Sequence, residues 1–403
     1  MSSQDSAASS YSRTPYLVVY QVPRGAAKEV YGSVGEHVAL QAQLLRGPAE
    51  SKSVIVAMHP IGSQAYLPMF PALARAGHHV ICCANRYSNG DFALQFENLL
   101  LDLAACIRDA RERLGYEQIV LAGWSGGGSL MAGYQAEAEQ RRIVRTAADE
   151  YTPLVDTQLP KADALMLLAS HRSRHHLLTD FLDASILDER DPERRDRQLD
   201  LYDAQNPHQP PYDRGFLESY RAAQLKRNRK ITAWVLEQLQ ALRRQGREQD
   251  ERAFVVHGTM ADPRWLDISI DPNERKAGSY IGDPRVANNS PAALARYSSL
   301  RSWLSQWSYD HAQVDAVDAV SRITTPILVV VNGADDACPT THTDAIYAAI
   351  RHDGKERHMI AGANHYFSGP GQKAKLEQTV TLVNGWLAKH HLGSGVDRSG
   401  ARS

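Results

Sequence analysis

Ser125 stands among four glycines in "LAGWSGGGSL" (Leu121–Leu130), directly after the apolar run "QIVL". Glycine costs backbone entropy and gives a core nothing to pack, so such crowding marks a sharp turn or a close backbone approach. Gly123-Trp124-Ser125-Gly126-Gly127 fits G-x-S-x-G. On a strand-to-helix turn that pattern holds a serine hydroxyl clear of the sheet. A helix beginning there turns its free N–H groups and positive dipole end toward charge developing on a bound carbonyl oxygen. A serine hydroxyl is a poor nucleophile without a base, and the base needs an acid to fix its tautomer and stabilise its cation. "GANHYFSGP" offers His365, and "VVVNGADDACP" offers Asp335 and Asp336, in the chain order Ser, Asp, His. The chemistry open to such a set is attack of a serine on a carbonyl carbon.

Positioning these groups requires strands that end where the chemistry begins. "YLVVYQV" and "HVALQAQLL" are close enough to pair as an antiparallel ribbon, and "SVIVAMH", "HHVICCA", "EQIVLAG" and "ADALMLLAS" are predicted as buried strands. Amphipathic stretches separate most of them. "FALQFENLLLDLAACIRDARERLG" has helical spacing, and "GGSLMAGYQAEAEQ" starts at the glycine cluster, so Ser125 lies between a strand and a helix. From Pro326 the alternation resumes with strand "ILVVV", helix "THTDAIYAAIR", strand "RHMIAG" and helix "KAKLEQTVTLVNGWLAKHH". The pattern is that of an α/β protein with a mainly parallel sheet flanked by helices. In it Asp335 and Asp336 follow one strand and His365 follows the next.

Through "GWSGGG", "VVVNGADD" and "GANHYF" the sequence resembles the α/β-hydrolase superfamily of serine hydrolases, over nearly its whole length apart from the polar ends and an insertion. The resemblance implies an α/β-hydrolase fold with Ser125 as nucleophile and His365 as base. In the family the acid commonly lies three residues after the glycine that ends its strand, which selects Asp336 and leaves Asp335 to cap the turn or the next helix. The family also takes one oxyanion donor from the residue after the nucleophile, here Gly126, and a second from the loop after the "SVIVAMH" strand. That loop reads "MHPIGSQAY"; Pro60 has no N–H, which moves the expected donor to Ile61, with Gly62 as the alternative.

The expected domains are a polar segment 1–14, a core formed by 15–170 and 320–392, a large helical cap over 171–319 inserted before the acid strand, and a disordered tail 393–403. The cap region is dense in Arg, Asp and Glu. It also carries Trp234, Trp265, Trp303, Trp307, Tyr280 and Tyr297, mostly as its own core. Any of these facing Ser125 would suit a bulky apolar or aromatic ester or lactone. Hydrolysis through an acyl-enzyme is therefore the expected activity. Carbon–carbon hydrolysis of ring-cleavage products and acyl transfer are alternatives on the same fold, and a non-catalytic ligand-binding protein is the alternative from another class.

No cofactor and no metal is expected. "SHRSRHHLLTD" places His171, His175, His176 and Asp180 at helix-face spacings, but it follows a strand where the cap begins, and its histidines read as hinge lining. A net charge of −1 over 403 residues, with 43% hydrophobic and 23% charged residues, gives no general attraction for nucleic acid or an acidic membrane. The partner expected is a small-molecule substrate, and a homodimer is allowed. The polar start "MSSQDSAASSYSRTP" and the lack of a long apolar run point to a cytoplasmic location. Cys82, Cys83, Cys106 and Cys338 have neither zinc-ligand spacing nor a disulfide pattern and are expected as buried thiols.

Overall fold

A computed structural model describes residues 10–22, 33–34, 37–291 and 293–393. Its strands are β1 Ser12–Gln21, β2 Ser33–Val34, β3 His37–Arg46, β4 Ser53–Ala57, β5 His79–Cys83, β6 Gln118–Trp124, β7 Ala164–Leu168, β8 Ala253–Val255, β9 Tyr297–Ser299, β10 Ile327–Asn332 and β11 Lys355–Ile360. The helices are α1 Met69–Arg75, α2 Phe96–Glu112, α3 Gly126–Glu139, α4 Arg174–Phe181, α5 Arg214–Arg244, α6 Pro284–Ala287, α7 Leu300–Ser302, α8 Ala316–Val320, α9 Thr340–Ala349 and α10 Gln372–Lys389. The main sheet runs β1-β3-β5-β4-β6-β7-β10-β11, with β2 alongside β3. β5 through β11 in that order are mutually parallel, and β1 pairs antiparallel with β3 from Ser12↔Arg46 to Gln21↔His37. This is the α/β-hydrolase architecture expected from the strand and helix pattern.

The sheet is covered on both faces, which is why its central strands read as unbroken apolar runs. Side chains alternate along a strand. Ile119 and Leu121 of β6 therefore join the layer under α2, α3, α8 and α9, while Val120, Ala122 and Trp124 join the layer under α1 and α10. The four cysteines are buried and free. No helix among the described residues is long and apolar enough to cross a membrane.

β7 and β10 are hydrogen-bonded neighbours, although roughly 160 residues separate them in sequence. That intervening chain contributes no strand to the main sheet among the described residues; it holds α4 to α8 and the small ribbon β8–β9. It has a core of its own, in which Trp303 and Trp307 stack at 5.2 Å against Leu178, Leu182 and Val235. Most of the aromatic residues named above are thus spent inside the insertion. The insertion meets the sheet domain through Glu97, a buried carboxylate at the start of α2. Glu97 accepts from Ala147 N (2.7 Å), from Gln313 Nε2 (3.1 Å) and from the Ser305 hydroxyl (2.8 Å), and Ser305 Oγ in turn accepts from Phe96 N (2.8 Å).

Because removal of Glu97 leaves the buried Ser305 hydroxyl and the half-buried Ala147 N–H without their acceptor, Glu97→Ala should destabilise the protein by about 2–3 kcal/mol, whereas an exposed carboxylate such as Glu218 should matter little when replaced. Urea unfolding midpoints of the two variants test this. Equal midpoints would show that Glu97 does not dock the insertion.

Candidate active site

Ser125 links β6 to α3 with φ 54° and ψ −124°, a conformation that costs a non-glycine residue free energy and is held only by dense surroundings. The glycines supply that density. A Cβ on Gly123 would lie 2.5 Å from Gly128 Cα, and one on Gly127 would lie 2.7 Å from the Met58 carbonyl oxygen. The turn can therefore close only without side chains at these positions. Ser125 is partly exposed, and its Oγ lies 3.8 Å from the Cys338 Sγ, its one polar side-chain contact among the described residues.

The acid loop departs from the sequence expectation by one residue. Asp335, not Asp336, faces His365: the His365 Nδ1–H donates to Asp335 Oδ2 at 3.0 Å, with both side chains buried. The other oxygen, Oδ1, accepts from Ala337 N at 2.8 Å and from Cys338 N at 2.7 Å. Asp335 thus caps the turn, as its position suggested, and orients the histidine as well. The reason is the tightness of the chain after β10, where Asp335 N returns to the Asn332 carbonyl (3.3 Å) and aims residue 335 at the β11 loop. Asp336 lines, together with Asp335 and Cys338, a small recess beside Arg264 and Arg275, and its backbone carbonyl accepts from Trp265 Nε1 at 3.1 Å. Burial, and then the neighbouring Asp335 charge, raises its carboxyl above the ordinary value.

Trp124 packs against the His365 ring at 4.4 Å between centroids, and Tyr366 packs against Trp124 at 5.3 Å. Tyr280 from the insertion reaches to 6.3 Å from His365. The structure therefore brings Ser125, Asp335 and His365 to one place at the carboxyl ends of β6, β10 and β11.

Of the two expected oxyanion donors, Gly126 directly follows Ser125 and Ile61 lines the cleft beside Trp124. Gly126 is the first residue of α3, so its N–H has no carbonyl one turn back. Ile61 N lies 3.2 Å from His59 Nδ1, while His59 Nδ1 lies 2.6 Å from the Ile61 carbonyl oxygen. A carbonyl only accepts, so the shorter contact makes Nδ1 the donor and leaves it no lone pair for the Ile61 N–H. That N–H keeps its capacity to donate elsewhere. A methyl group on Gly126 would lie 3.0 Å from His59 Nε2 and 3.3 Å from His171 Nε2, so two imidazoles wall this side.

These imidazoles, with the guanidinium of Arg174, escaped the sequence reading as a group because they converge from residues 59, 171 and 174. Arg174 is buried, pairs with Asp91 and donates from Nε to Gln306 Oε1 at 2.6 Å. Burial, then the proximity of His59, Arg174 and His365, pulls His171 from its ordinary value of 6.5 down to about 3. Cys338 went unrecognised as a neighbour of the serine, although it lies only three residues beyond Asp335. Burial, then Asp335, raises its thiol well above the ordinary value, so it stands there as a neutral thiol. Beside Trp124 a cleft of about 460 Å³ opens between Ile61–Leu67 and Ser88–Asp91. Asp335, Cys338 and His365 also have ligand atoms within 4.8 Å of one another, a set able to bind a soft cation.

The α/β hydrolase fold family matches residues 58–368 of this sequence. No curated protein matches the sequence. Among solved structures, the chain is similar to the α/β hydrolase GrgF from Penicillium sp. sh18, with TM-score 0.51 and 12% identity over 94% of this chain and 99% of that one. It is also similar to the siderophore hydrolase EstB from Aspergillus fumigatus, with TM-score 0.49 and 14% identity over 87% and 94% of the two chains. A third is Est1E from Butyrivibrio proteoclasticus, with TM-score 0.45 and 13% identity over 88% and 95%.

His171 makes the site acid-labile. Its folded-state value lies below the unfolded one, so the unfolded chain binds the proton more readily, and stability is full above about pH 6.5 and lost as pH falls toward 3. Between about pH 7 and pH 4.5 this group alone should remove roughly 2–3 kcal/mol. His171→Gln should flatten that part of the stability curve, followed by urea unfolding at the two pH values. An unchanged slope would mean that other groups carry the acid sensitivity.

Proposed function

We propose that this chain, which belongs to the α/β-hydrolase fold family, is a serine hydrolase that cleaves a carboxylic ester or lactone through an acyl-enzyme. The observation that carries this reading is the buried hydrogen bond from His365 Nδ1 to Asp335, placed beside a serine held in a strained strand-to-helix turn. In the proposed sequence Ser125 Oγ attacks the substrate carbonyl as its proton passes to His365, whose cation Asp335 stabilises. The oxyanion takes hydrogen bonds from Gly126 N and Ile61 N. His365 then returns the proton to the leaving oxygen, and a water deprotonated by the same imidazole releases the acid and restores Ser125. Ser125 Oγ here touches Cys338, and the serine–histidine hydrogen bond of this cycle is one that would tighten when substrate is bound, as catalytic hydrogen bonds often do.

Trp124, Tyr366, Leu67 and Ile61 give the adjoining cleft an apolar wall, while Ser88, Asn89 and Asp91 line its polar side. This supports a substrate with a bulky apolar or aromatic acyl or alkoxy part and a polar end. The insertion between β7 and β10, which sends Tyr280 toward His365, is proposed as the cap that closes over it.

Ser125→Ala should abolish turnover of a generic aryl ester and labelling by a fluorophosphonate, with circular dichroism unchanged. Retained labelling would remove Ser125 as the nucleophile. The acid assignment has its own check: Asp335→Asn should lower turnover by about four orders of magnitude by leaving the imidazole in the wrong tautomer, and Asp336→Asn by about tenfold or less. The reverse ranking would return the acid role to Asp336.

A further inference from the structure

His175, His176 and Asp315 lie where the inserted segment leaves the sheet domain and where it comes back. His175 and His176 are in the first turn of α4, a few residues after β7, and Asp315 is the N-cap of α8, on the path back to β10. His176 Nδ1 is 3.4 Å and His175 Nε2 is 4.0 Å from Asp315 Oδ2. The Ser173 hydroxyl adds a fourth atom, 2.7 Å from His176 Nδ1 and 3.5 Å from His175 Nε2. A tetrahedral ion with arms of about 2.0–2.1 Å to nitrogen and oxygen needs ligand atoms roughly 3.4 Å apart. The spacings here scatter around that value, and the ligand atoms of the two histidines and the aspartate all lie within 4.8 Å of one another.

The surroundings favour occupation by a cation. Asp315 Oδ1 accepts from Val317 N at 2.7 Å and from Asp318 N at 3.4 Å, which fixes the carboxylate with Oδ2 turned to the imidazoles. The two rings pack together at 4.4 Å, with Tyr309 against His176 at 4.7 Å, so their orientations are set before any ion arrives. Asp180, on the following turn of α4, adds a second negative charge near His176, shared with Arg221 at 3.5 Å and Arg264 at 3.4 Å. Arg172 opposes occupation: its Nε donates to Asp315 Oδ2 at 2.7 Å. The Arg172 side chain is about one-third exposed, however, so the guanidinium can turn to solvent when an ion takes that oxygen.

We propose that His175, His176 and Asp315 bind a divalent transition-metal ion of the zinc class, with Ser173 or a water as the fourth ligand. Two imidazoles and one carboxylate suit Zn²⁺ and its substitute Co²⁺ better than Mg²⁺ or Ca²⁺, which prefer oxygen alone. Such an ion fastens the outgoing strand–helix connection to the returning one, so its effect falls on stability and on how firmly the insertion is held.

The test uses the full chain after chelator treatment, titrated separately with Zn²⁺ and Co²⁺. The expected result is one equivalent of bound metal, a tetrahedral Co²⁺ visible spectrum without a thiolate charge-transfer band, and a melting temperature raised by several degrees at saturating Zn²⁺. His176→Gln, and separately His175→Gln in case one variant folds poorly, should lose both the spectrum and the shift, while Cys338→Ser should keep them. The proposal fails if the wild-type protein shows neither signal. It also fails if the signals survive both histidine variants and vanish in Cys338→Ser, which would put the metal at Asp335, Cys338 and His365.

Discussion

A single buried carboxylate holds the functional end of this protein together. Asp335 divides its two oxygens between two loops: one satisfies the N–H groups of Ala337 and Cys338 on its own loop, and the other holds His365 on the loop after β11. An ionised carboxylate in a buried setting is tolerated only when its lone pairs are used, and here three donors use them. The ring of His365 is then fixed against Trp124, next to Ser125. The hydrogen bond of Asp335 N to Asn332, at the end of β10, ties this carboxylate to a fully buried strand of the sheet.

The strained serine turn depends on the same packing. Gly123 and Gly127 let β6, α3 and the end of β4 approach to distances no Cβ would allow, and that closeness keeps Ser125 in a backbone conformation it would otherwise leave. The strain is local. It is balanced by a sheet whose central strands are buried on both faces, so the functional geometry and the core are one construction.

Much of this could be read from residue types. The alternating strands and helices, the elbow at Ser125 and the histidine after the last strand all followed from patterns of a few residues, because each is a local consequence of backbone sterics and apolar spacing. The choice between Asp335 and Asp336 was not local in that sense. Consecutive residues in a tight turn project in different directions, and which one meets His365 depends on how the chain leaves Asn332. The capping signal that set Asp335 apart belonged to the histidine-facing residue itself, since the same carboxylate can accept turn N–H groups with one oxygen and a histidine with the other. His59, His171, Arg174 and Cys338 were hidden for a different reason: their grouping comes from the order of strands in the sheet, which no short stretch of sequence encodes.

The contact between Ser125 Oγ and Cys338 Sγ has a bearing on how inhibitors should be interpreted. Under the proposed serine chemistry, a mercurial or small disulfide that reached Cys338 would place its adduct against the Ser125 hydroxyl, and activity would vanish although the sulfur would take no part in bond making. Sensitivity to thiol reagents is commonly read as the mark of a cysteine nucleophile. In this protein it would report crowding at a serine, and protection by a bound ester would mean shared space, not shared chemistry.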